Sequence, residues 1–278
     1  MSASTRIRPA LLLAAIAVAT SAAWAQGTAP APASPPAHES SSEISNRLFL
    51  SFFQQAALVP SQWWEGQLEY DDGSKDIPVD VFLARGVVAF HPIKTLEVGG
   101  RVGFGSTSAP PGRNDGSGAT DLDVYGKWVF PNVMEKTSFA VGMVATVPTG
   151  DDAVGLGFNA FSTEAFGSVA HTFGDVIVGG NLGVRLNGDG DFQGVPLTGK
   201  TSFKFEGSAI FPLANRVSLV AEALFETDRF EEINSTTEVL AGINWRAFSR
   251  GMFRAAVDAG LSDGSPDFRV ILSYAYAF

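Results

Sequence analysis

Hydrophobic and polar residues alternate with the two-residue period of β-strands over most of the chain from about residue 60 onward. In the last such segment, one face carries at alternate positions Phe268, Val270, Leu272, Tyr274, Tyr276 and Phe278. The pattern predicts about twelve strands, near residues 62–70, 78–91, 95–105, 120–130, 137–147, 160–173, 175–187, 200–211, 215–227, 235–247, 251–262 and 266–278.

The second segment changes parity partway along its length. Leu83 continues one apolar face, whereas Val88 and Phe90 fall on the other. A bulge at Ala84 and Arg85 would bring these residues onto one face, since one extra residue shifts the alternation by one position. We therefore expect a β-bulge in this strand.

The connections between the predicted strands alternate in length. Short ones, such as Phe173–Asp175, are followed by longer ones rich in Gly, Asp, Asn and Ser, such as Gly188–Gly199. Outer-membrane barrels alternate in this way, with tight periplasmic turns and longer outer loops. An even number of strands then places both chain termini of the barrel in the periplasm.

A soluble β-sandwich or lipocalin-like barrel is the alternative to a membrane barrel. The predicted strands are about 10–13 residues long, enough to cross a bilayer when tilted. Aromatic residues gather at strand ends, as in the girdles at membrane interfaces, and include Trp64, Trp128 and Trp245. The sequence therefore predicts an all-β protein, a transmembrane antiparallel up-and-down β-barrel of about twelve strands, in the outer membrane of a Gram-negative bacterium.

Three segments precede the predicted barrel, which we assign to residues 60–278. Residues 1–25 carry Arg6 and Arg8, a short apolar run and an Ala-Trp-Ala end, the pattern of a cleaved signal peptide. Residues 26–46 are rich in Pro, Ala and Ser and predict a flexible periplasmic linker. Residues 47–59 form a lead-in or amphipathic segment, which could lie on the inner leaflet, insert as a plug or extend into the first strand.

Composition narrows the class of protein further. Charged residues make up 17% of the chain, the mean hydropathy is +0.14 and the formal net charge is −10. These values are too polar for a bundle of membrane helices and too acidic for a basic nucleic-acid binder. The lack of cysteine excludes a disulfide framework, a cysteine-based metal site and a lipoprotein anchor.

Charged residues fall on the polar face of the predicted strands. An Arg or Lys facing lipid at the bilayer midplane would cost about 2–4 kcal/mol, so these residues should face the interior. The candidate lumen-lining residues are Glu97, Arg101, Asp123, Lys127, Glu164, Arg185, Lys204, Glu206, Glu222, Glu238, Arg246, Arg254, Asp258 and Arg269. They either pair to close a narrow lumen or line a water-filled passage, and the sequence leaves both possibilities open.

The histidines give no sign of catalysis. His91 and His171 fall near the short-turn ends of strands, no serine in a nucleophile motif lies beside either, and the chain has no G-x-S-x-G. We therefore predict a protein that is not an enzyme and carries no cofactor. A lipid hydrolase embedded in the barrel is the less favoured alternative.

One loop resembles the start of a calcium site. Asn187, Asp189 and Asp191 place oxygen ligands at every second position, but Phe192 and Thr198 stand where an EF-hand has Gly and Glu. A polar hairpin loop is the favoured interpretation, with no metal.

The chain closes with aromatic residues at alternate positions, Tyr274, Tyr276 and Phe278. This arrangement resembles the C-terminal signal that the barrel-assembly machinery of the outer membrane reads. We expect that machinery as a partner, together with outer-membrane lipid and lipopolysaccharide, and we expect no nucleic acid.

Four stretches carry a resemblance to a known family: Leu83–Val88, Lys94–Val98, Thr146–Asp152 and Gly260–Phe268. On these the chain resembles the outer-membrane proteins described as transporters of the phenol-degradation meta-pathway type. The resemblance implies a barrel of this size and the passage of small hydrophobic or aromatic compounds. We therefore expect a passive channel or transporter, with a structural or surface-interaction barrel of closed lumen as the alternative.

Overall fold

The computed structural model describes residues 47–50, 53–57 and 62–278. The predicted signal peptide and linker lie outside the described residues, so both stay predictions. Among the described residues, no helix is long and apolar enough to span a membrane.

The described chain is almost entirely β-strand. In chain order the strands are β1 (Trp63–Asp72), β2 (Asp80–Ile93), β3 (Leu96–Ser108), β4 (Gly116–Ala119), β5 (Leu122–Met134), β6 (Thr137–Val147), β7 (Ser162–Phe173), β8 (Val176–Asn187), β9 (Gly190–Phe192), β10 (Val195–Leu197), β11 (Thr201–Ala214), β12 (Val217–Glu226), β13 (Thr236–Trp245), β14 (Gly251–Gly260) and β15 (Phe268–Ala277). A single 3-10 turn of this region covers Asp152–Val154.

Twelve long strands form a closed antiparallel barrel. Each long strand pairs with its neighbours along the chain, and β1 closes the barrel by pairing with β15 from Trp63↔Ala277 to Asp72↔Phe268. The short β4 pairs with β3 just before β5 begins, while β9 and β10 form a separate hairpin in a loop. The predicted fold class is confirmed.

The bulge expected at Ala84 and Arg85 is wrong. β2 pairs with both neighbours without a shift through this region, and its register changes only between Phe90 and Ile93. Leu83 is an apolar residue on the inward face, with 3% of its surface exposed. The change in parity therefore reflects an apolar contact inside the barrel and not an extra residue in the strand.

The alternation separates an apolar outer face from a polar inner one. In β11, Phe203 and Phe205 are exposed, whereas Ser202, Lys204 and Glu206 between them are buried. In outer-membrane barrels an apolar outer face contacts lipid tails, and inward polar residues keep their charges away from the hydrocarbon. The sequence thereby fixes which face of each strand lies inside.

The two ends of the barrel differ in the length of their connections. At one end, here called the short-turn end, the connections are residues 94–95, 135–136, 174–175, 215–216 and 246–250. At the other, the long-loop end, they are residues 73–79, 109–121, 148–161, 188–200, 227–235 and 261–267. Gly174, with φ of 60°, shows why tight turns favour glycine, since this left-handed conformation strains other residues.

Candidate functional site

The interior of the barrel carries a belt of charged and polar side chains. Every long strand contributes one residue or more, and we call this set the charged belt: Glu69, Asp71, Arg85, Arg101, Asp123, Thr146, Glu164, Arg185, Ser202, Glu226, Glu238, Asp258 and Arg269. Cross-strand pairs join its members, including Arg101↔Asp123 on β3 and β5 and Glu164↔Arg185 on β7 and β8. Side chains inside a low-dielectric wall stay ionised when they are paired with opposite charges or hydrated, and the charged belt supplies the opposite charges.

Short ion pairs connect neighbouring members of the charged belt. Arg101 Nη2 lies 2.6 Å from Asp123 Oδ2, and Arg85 Nη1 lies 2.8 Å from Glu69 Oε2. Arg185 contacts Glu164 and lies 3.1 Å from Glu226. These contacts fix the long arginine side chains in the plane of the belt.

Arg269 is the hub of an acidic sector in the charged belt. Its guanidinium lies 2.8 Å from Asp71, 3.3 Å from Glu238, 3.4 Å from Asp258 and 3.7 Å from Glu69. Four carboxylates therefore share one arginine, and only Glu69 also pairs with Arg85 among the ion pairs of the described chain. Carboxyl groups therefore outnumber arginines in this sector.

A second cluster lies nearer the short-turn end. Buried Glu97 accepts from Tyr125 at 2.9 Å and lies 3.2 Å from Lys127 Nζ and 3.1 Å from His91 Nε2. Trp63 Nε1 reaches the same carboxylate at 3.5 Å. Glu97, which belongs to β3, thus contacts side chains of β1, β2 and β5 and links these strands.

Residues 47–50 and 53–57, here called the inner segment, lie inside the barrel. Glu222 of β12 accepts hydrogen bonds from the Phe49 and Leu50 N–H groups at 2.5 and 3.0 Å. Arg254 of β14 donates to the Leu48 carbonyl at 2.7 Å, and its guanidinium lies 4.1 Å from the centre of the Phe49 ring. The first part of the inner segment is therefore bound to the β12–β14 side of the wall.

The second part of the inner segment binds strands on another side of the lumen. Lys127 of β5 donates to the Gln55 carbonyl at 3.1 Å, and Ser168 of β7 donates to the Gln54 carbonyl at 2.5 Å. Phe53 stacks on Tyr125 with ring centres 4.4 Å apart. Because β5–β7 lie well around the barrel from β12–β14, the inner segment crosses the lumen.

The described parts of the inner segment form bends and turns, not a helix. Most of their side chains are buried: Arg47 is 2% exposed, Phe49 6% and Phe53 5%. Gly242 of β13 makes room for one of them, since a Cβ there would lie 2.6 Å from the Phe49 ring. The Phe49 ring of the inner segment therefore packs closely against the wall at Gly242.

An apolar cluster closes over the long-loop end. We call it the loop cap, and it consists of Ile77, Val79, Val81, Ala109, Phe158, Ala160, Phe192, Leu197, Phe230 and Ile233. Phe158 lies 5.5 Å from Phe192 and 5.4 Å from Phe230 between ring centres. These residues come from five different loops or the strand ends beside them.

The loop cap bridges the mouth of the barrel. The β1–β2 loop, which supplies Ile77 and Val79, lies opposite the β8–β11 loop, which supplies Phe192 and Leu197, in the order of strands around the barrel. Side chains from opposite sides can join one cluster only by reaching across the opening. The described structure is thus restricted at two levels, by the loop cap and by the inner segment.

Arg229 lies beneath the aromatic residues of the loop cap. Its guanidinium is 5.4 Å from the Phe158 ring centre and 5.5 Å from that of Phe230. Burial and the nearby Arg185 lower the pKa of Arg229 to about 10. The side chain therefore keeps its positive charge at neutral pH and can interact with the faces of the rings.

The lumen-lining residues predicted from the sequence fall into three groups: members of the charged belt, residues that lie outside the belt and form other contacts inside the barrel, and one residue in a turn. Arg101, Asp123, Glu164, Arg185, Glu238, Asp258 and Arg269 belong to the charged belt. Glu97, Lys127, Glu222 and Arg254 contact one another or the inner segment, and Lys204 pairs with Glu206 at 2.8 Å. Arg246 lies in the turn after β13, where its N–H donates to the Arg216 carbonyl at 2.8 Å.

Three uncharged residues whose side chains hold the inner segment to the wall were not predicted from the sequence. Asn244 donates to the Arg47 carbonyl at 2.9 Å, and Gln54 donates to Glu164 at 3.0 Å. Ser168, which donates to the Gln54 carbonyl, is the third of these uncharged residues. Asn244 and Ser168 stand at inward positions of their strands, so the two-residue period is the sequence signal that marks them.

The loop considered for calcium is stabilised by its own backbone. Asp189 accepts from the Gly199 N–H at 2.9 Å and Asp191 from the Gly194 N–H at 2.7 Å. The Asn187 amide donates to the Lys200 carbonyl at 2.8 Å. No group of acidic or histidine residues in the described chain is arranged to hold a metal ion.

The fold of this chain is similar to that of outer-membrane proteins of known structure. The structure is similar to the COG4313 outer membrane channel from Pseudomonas putida F1, with a TM-score of 0.66 and 14% identity over 84% of this chain and all of that one (100%). It is also similar to the KdgM porin in complex with disordered oligogalacturonate, with a TM-score of 0.55 and 8% identity over 78% and 99% of the two chains. No family model and no curated protein matches the sequence.

Proposed function

We propose that the protein is an outer-membrane channel through which small solutes pass down their concentration gradients. The barrel is apolar outside and charged inside, which suits a protein surrounded by lipid and filled with water. Two outer-membrane channels share its fold. In this proposal the short-turn end of the barrel and both of its chain termini face the periplasm.

The way the wall binds the inner segment is the observation that carries the proposal. Glu222, Asn244, Arg254, Lys127 and Ser168 satisfy backbone groups of a segment that is not part of the barrel. If the inner segment leaves, these buried polar groups need water as their partner. The barrel without it is therefore a wet, charged passage and not an apolar core.

Small hydrophobic or aromatic compounds are the solutes we propose. The resemblance to transporters of the phenol-degradation meta-pathway type supports this class, and so do the aromatic rings that a solute meets at both restrictions. Phe158, Phe192 and Phe230 lie in the loop cap, and Phe49 and Phe53 in the inner segment. Aromatic faces bind flat apolar solutes by stacking.

A closed structural barrel is the second candidate. The loop cap and the inner segment favour it, because both occupy the path along the barrel axis in the described structure. In that case the loops at the long-loop end would carry the function. The proposals differ in whether any solute crosses.

Liposome swelling separates the two candidates. Purified protein in liposomes should allow swelling with small phenolic or benzyl compounds and should allow less with anions of equal size. Matched liposomes carrying heat-denatured protein are the control. Absence of swelling with ions, sugars and aromatic compounds alike would contradict the channel and support the closed barrel.

A further inference from the structure

The two ends of the barrel carry opposite charge. Acidic residues outnumber basic ones in the long loops. The basic residues there are Lys75, Arg113, Lys200 and Arg229. The acidic ones are Asp76, Asp115, Asp121, Asp151, Asp152, Asp189, Asp191, Asp228, Glu231, Glu232, Asp263 and Asp267. At the short turns the balance reverses. The basic residues there are Lys94, Lys136, Arg216, Arg246 and Arg250, against Glu135 and Asp175.

Three of these basic residues, Arg216, Arg246 and Arg250, belong to two neighbouring turns and are here called the arginine patch. The backbone holds the turns together, since the Arg246 N–H donates to the Arg216 carbonyl at 2.8 Å. The Arg250 carbonyl accepts from the Ala277 N–H at 2.9 Å, which ties the second turn to β15. Arg216 and Arg250 are exposed, and no ion pair of the described chain includes either.

A row of exposed or half-buried aromatic side chains lies beside the arginine patch on the outer wall. Trp245 stacks on Phe253 at 5.8 Å, Phe253 contacts Tyr274 at 4.8 Å, and Tyr274 contacts Trp64 at 5.9 Å between ring centres. The row runs across β13, β14, β15 and β1. Gly251 provides room for the Tyr274 ring, because a Cβ there would lie 2.3 Å from its hydroxyl oxygen.

This combination matches the layers of a phospholipid leaflet. Aromatic rings prefer the depth of the glycerol and carbonyl groups, just below the phosphates. Arginines directly beyond such a row therefore stand at the depth of the phosphates, which a guanidinium binds through two parallel hydrogen bonds. The exposed Phe248, in the same turn as Arg250, adds a further apolar anchor.

We propose that the arginine patch binds the headgroup of an anionic phospholipid, of the phosphatidylglycerol type, in the leaflet around the short-turn end. A net negative headgroup complements the patch, whereas a zwitterionic headgroup carries its own cation to compete. The site rests on the proposed membrane location but not on solute passage. A barrel that conducts nothing would still bind the lipid.

Lipid titration followed by native mass spectrometry tests the site. Wild-type protein should retain phosphatidylglycerol at least about tenfold more strongly than phosphatidylcholine, and R216Q/R250Q should lose most of that preference. The matched control K94Q/K136Q removes the same charge from turns elsewhere around the short-turn end and should keep it. Equal losses in the two variants, or no preference in the wild type, would overturn the proposal.

A second measurement uses the unaltered chain, in case the arginine variants fold poorly. Brominated phosphatidylglycerol should quench tryptophan fluorescence more than brominated phosphatidylcholine in vesicles of equal lipid content. The excess should disappear in Trp245→Phe, because Trp245 lies next to the patch. Equal quenching by the two lipids in the wild type would contradict the site.

Discussion

The carboxylate of Glu222 is one of the groups of the wall that hold the inner segment. It accepts from two consecutive backbone N–H groups, those of Phe49 and Leu50. Removing the acceptor leaves two buried donors without it, at about 1–3 kcal/mol for each. Loss of this carboxylate should therefore weaken the binding of the inner segment to the β12–β14 side of the wall.

Glu222→Ala should make the channel open more often or more widely in single-channel recordings. The physical reason is the loss of the two charge-assisted hydrogen bonds that seat the inner segment. Glu135→Ala removes a carboxylate from an exposed turn and is the control. Recordings of E222A that match those of E135A would contradict the role of Glu222.

A substitution at Gly242 would test the packing of the inner segment by adding volume to the wall, without changing its charge. Gly242→Ala would place a Cβ 2.6 Å from the Phe49 ring and 3.0 Å from the Ala255 carbonyl, so the ring must shift. Gly207→Ala adds the same methyl group where nothing lies within 4 Å. We expect higher conductance for G242A and unchanged conductance for G207A, measured in planar bilayers, with equal resistance to unfolding in detergent at room temperature.

At the scale of elements, the loop cap behaves as a small hydrophobic core outside the barrel. Phe230 is fully buried in it and contacts Phe158. Its strand-like bridges to Gly199 and Ile233 tie two loops together. The cap should therefore open as one unit if this residue is removed.

Phe230→Ala should loosen the loops while leaving the barrel folded. Truncating a buried phenylalanine costs about 3–5 kcal/mol of packing, and here the loss falls on the loops alone. Hydrogen exchange in residues 188–200 should accelerate, with exchange in the strands unchanged. Phe248→Ala, which truncates an exposed phenylalanine, is the control, and equal exchange in both variants would argue against a cooperative cap.

The twelve long strands could be predicted from the sequence because each one repeats a local rule. A period of two holds wherever lipid lies on one side and polar side chains on the other, and β6 was located at its actual bounds, Thr137–Val147. The inner segment and the loop cap follow no such rule. Phe49 and Phe230 are buried by contacts with residues far away in the chain, so their neighbours in sequence carry no sign of it.

At the scale of the whole molecule, the surplus of negative charge predicts selectivity for cations. Arg269 serves four carboxylates in the charged belt, and the long loops are acidic. Fields of one sign at a mouth raise the local concentration of counter-ions. Cations should therefore cross more readily than anions.

A salt gradient across a planar bilayer measures this selectivity. The reversal potential should have the sign of a cation-selective pore, and raising the ionic strength should reduce the selectivity by screening. Replacing Glu231 and Glu232 with glutamine should shift the reversal potential toward zero. A reversal potential of anion-selective sign would contradict the electrostatic account.

The proposed passage is polar, and the inner segment restricts it. The most direct test compares single-channel conductance of the full protein with that of a variant lacking residues 27–58, under identical salt and voltage. We predict a clearly larger current step for the shortened protein, because the polar wall that bound the segment fills with water. An unchanged current step in a correctly folded barrel would contradict the claim.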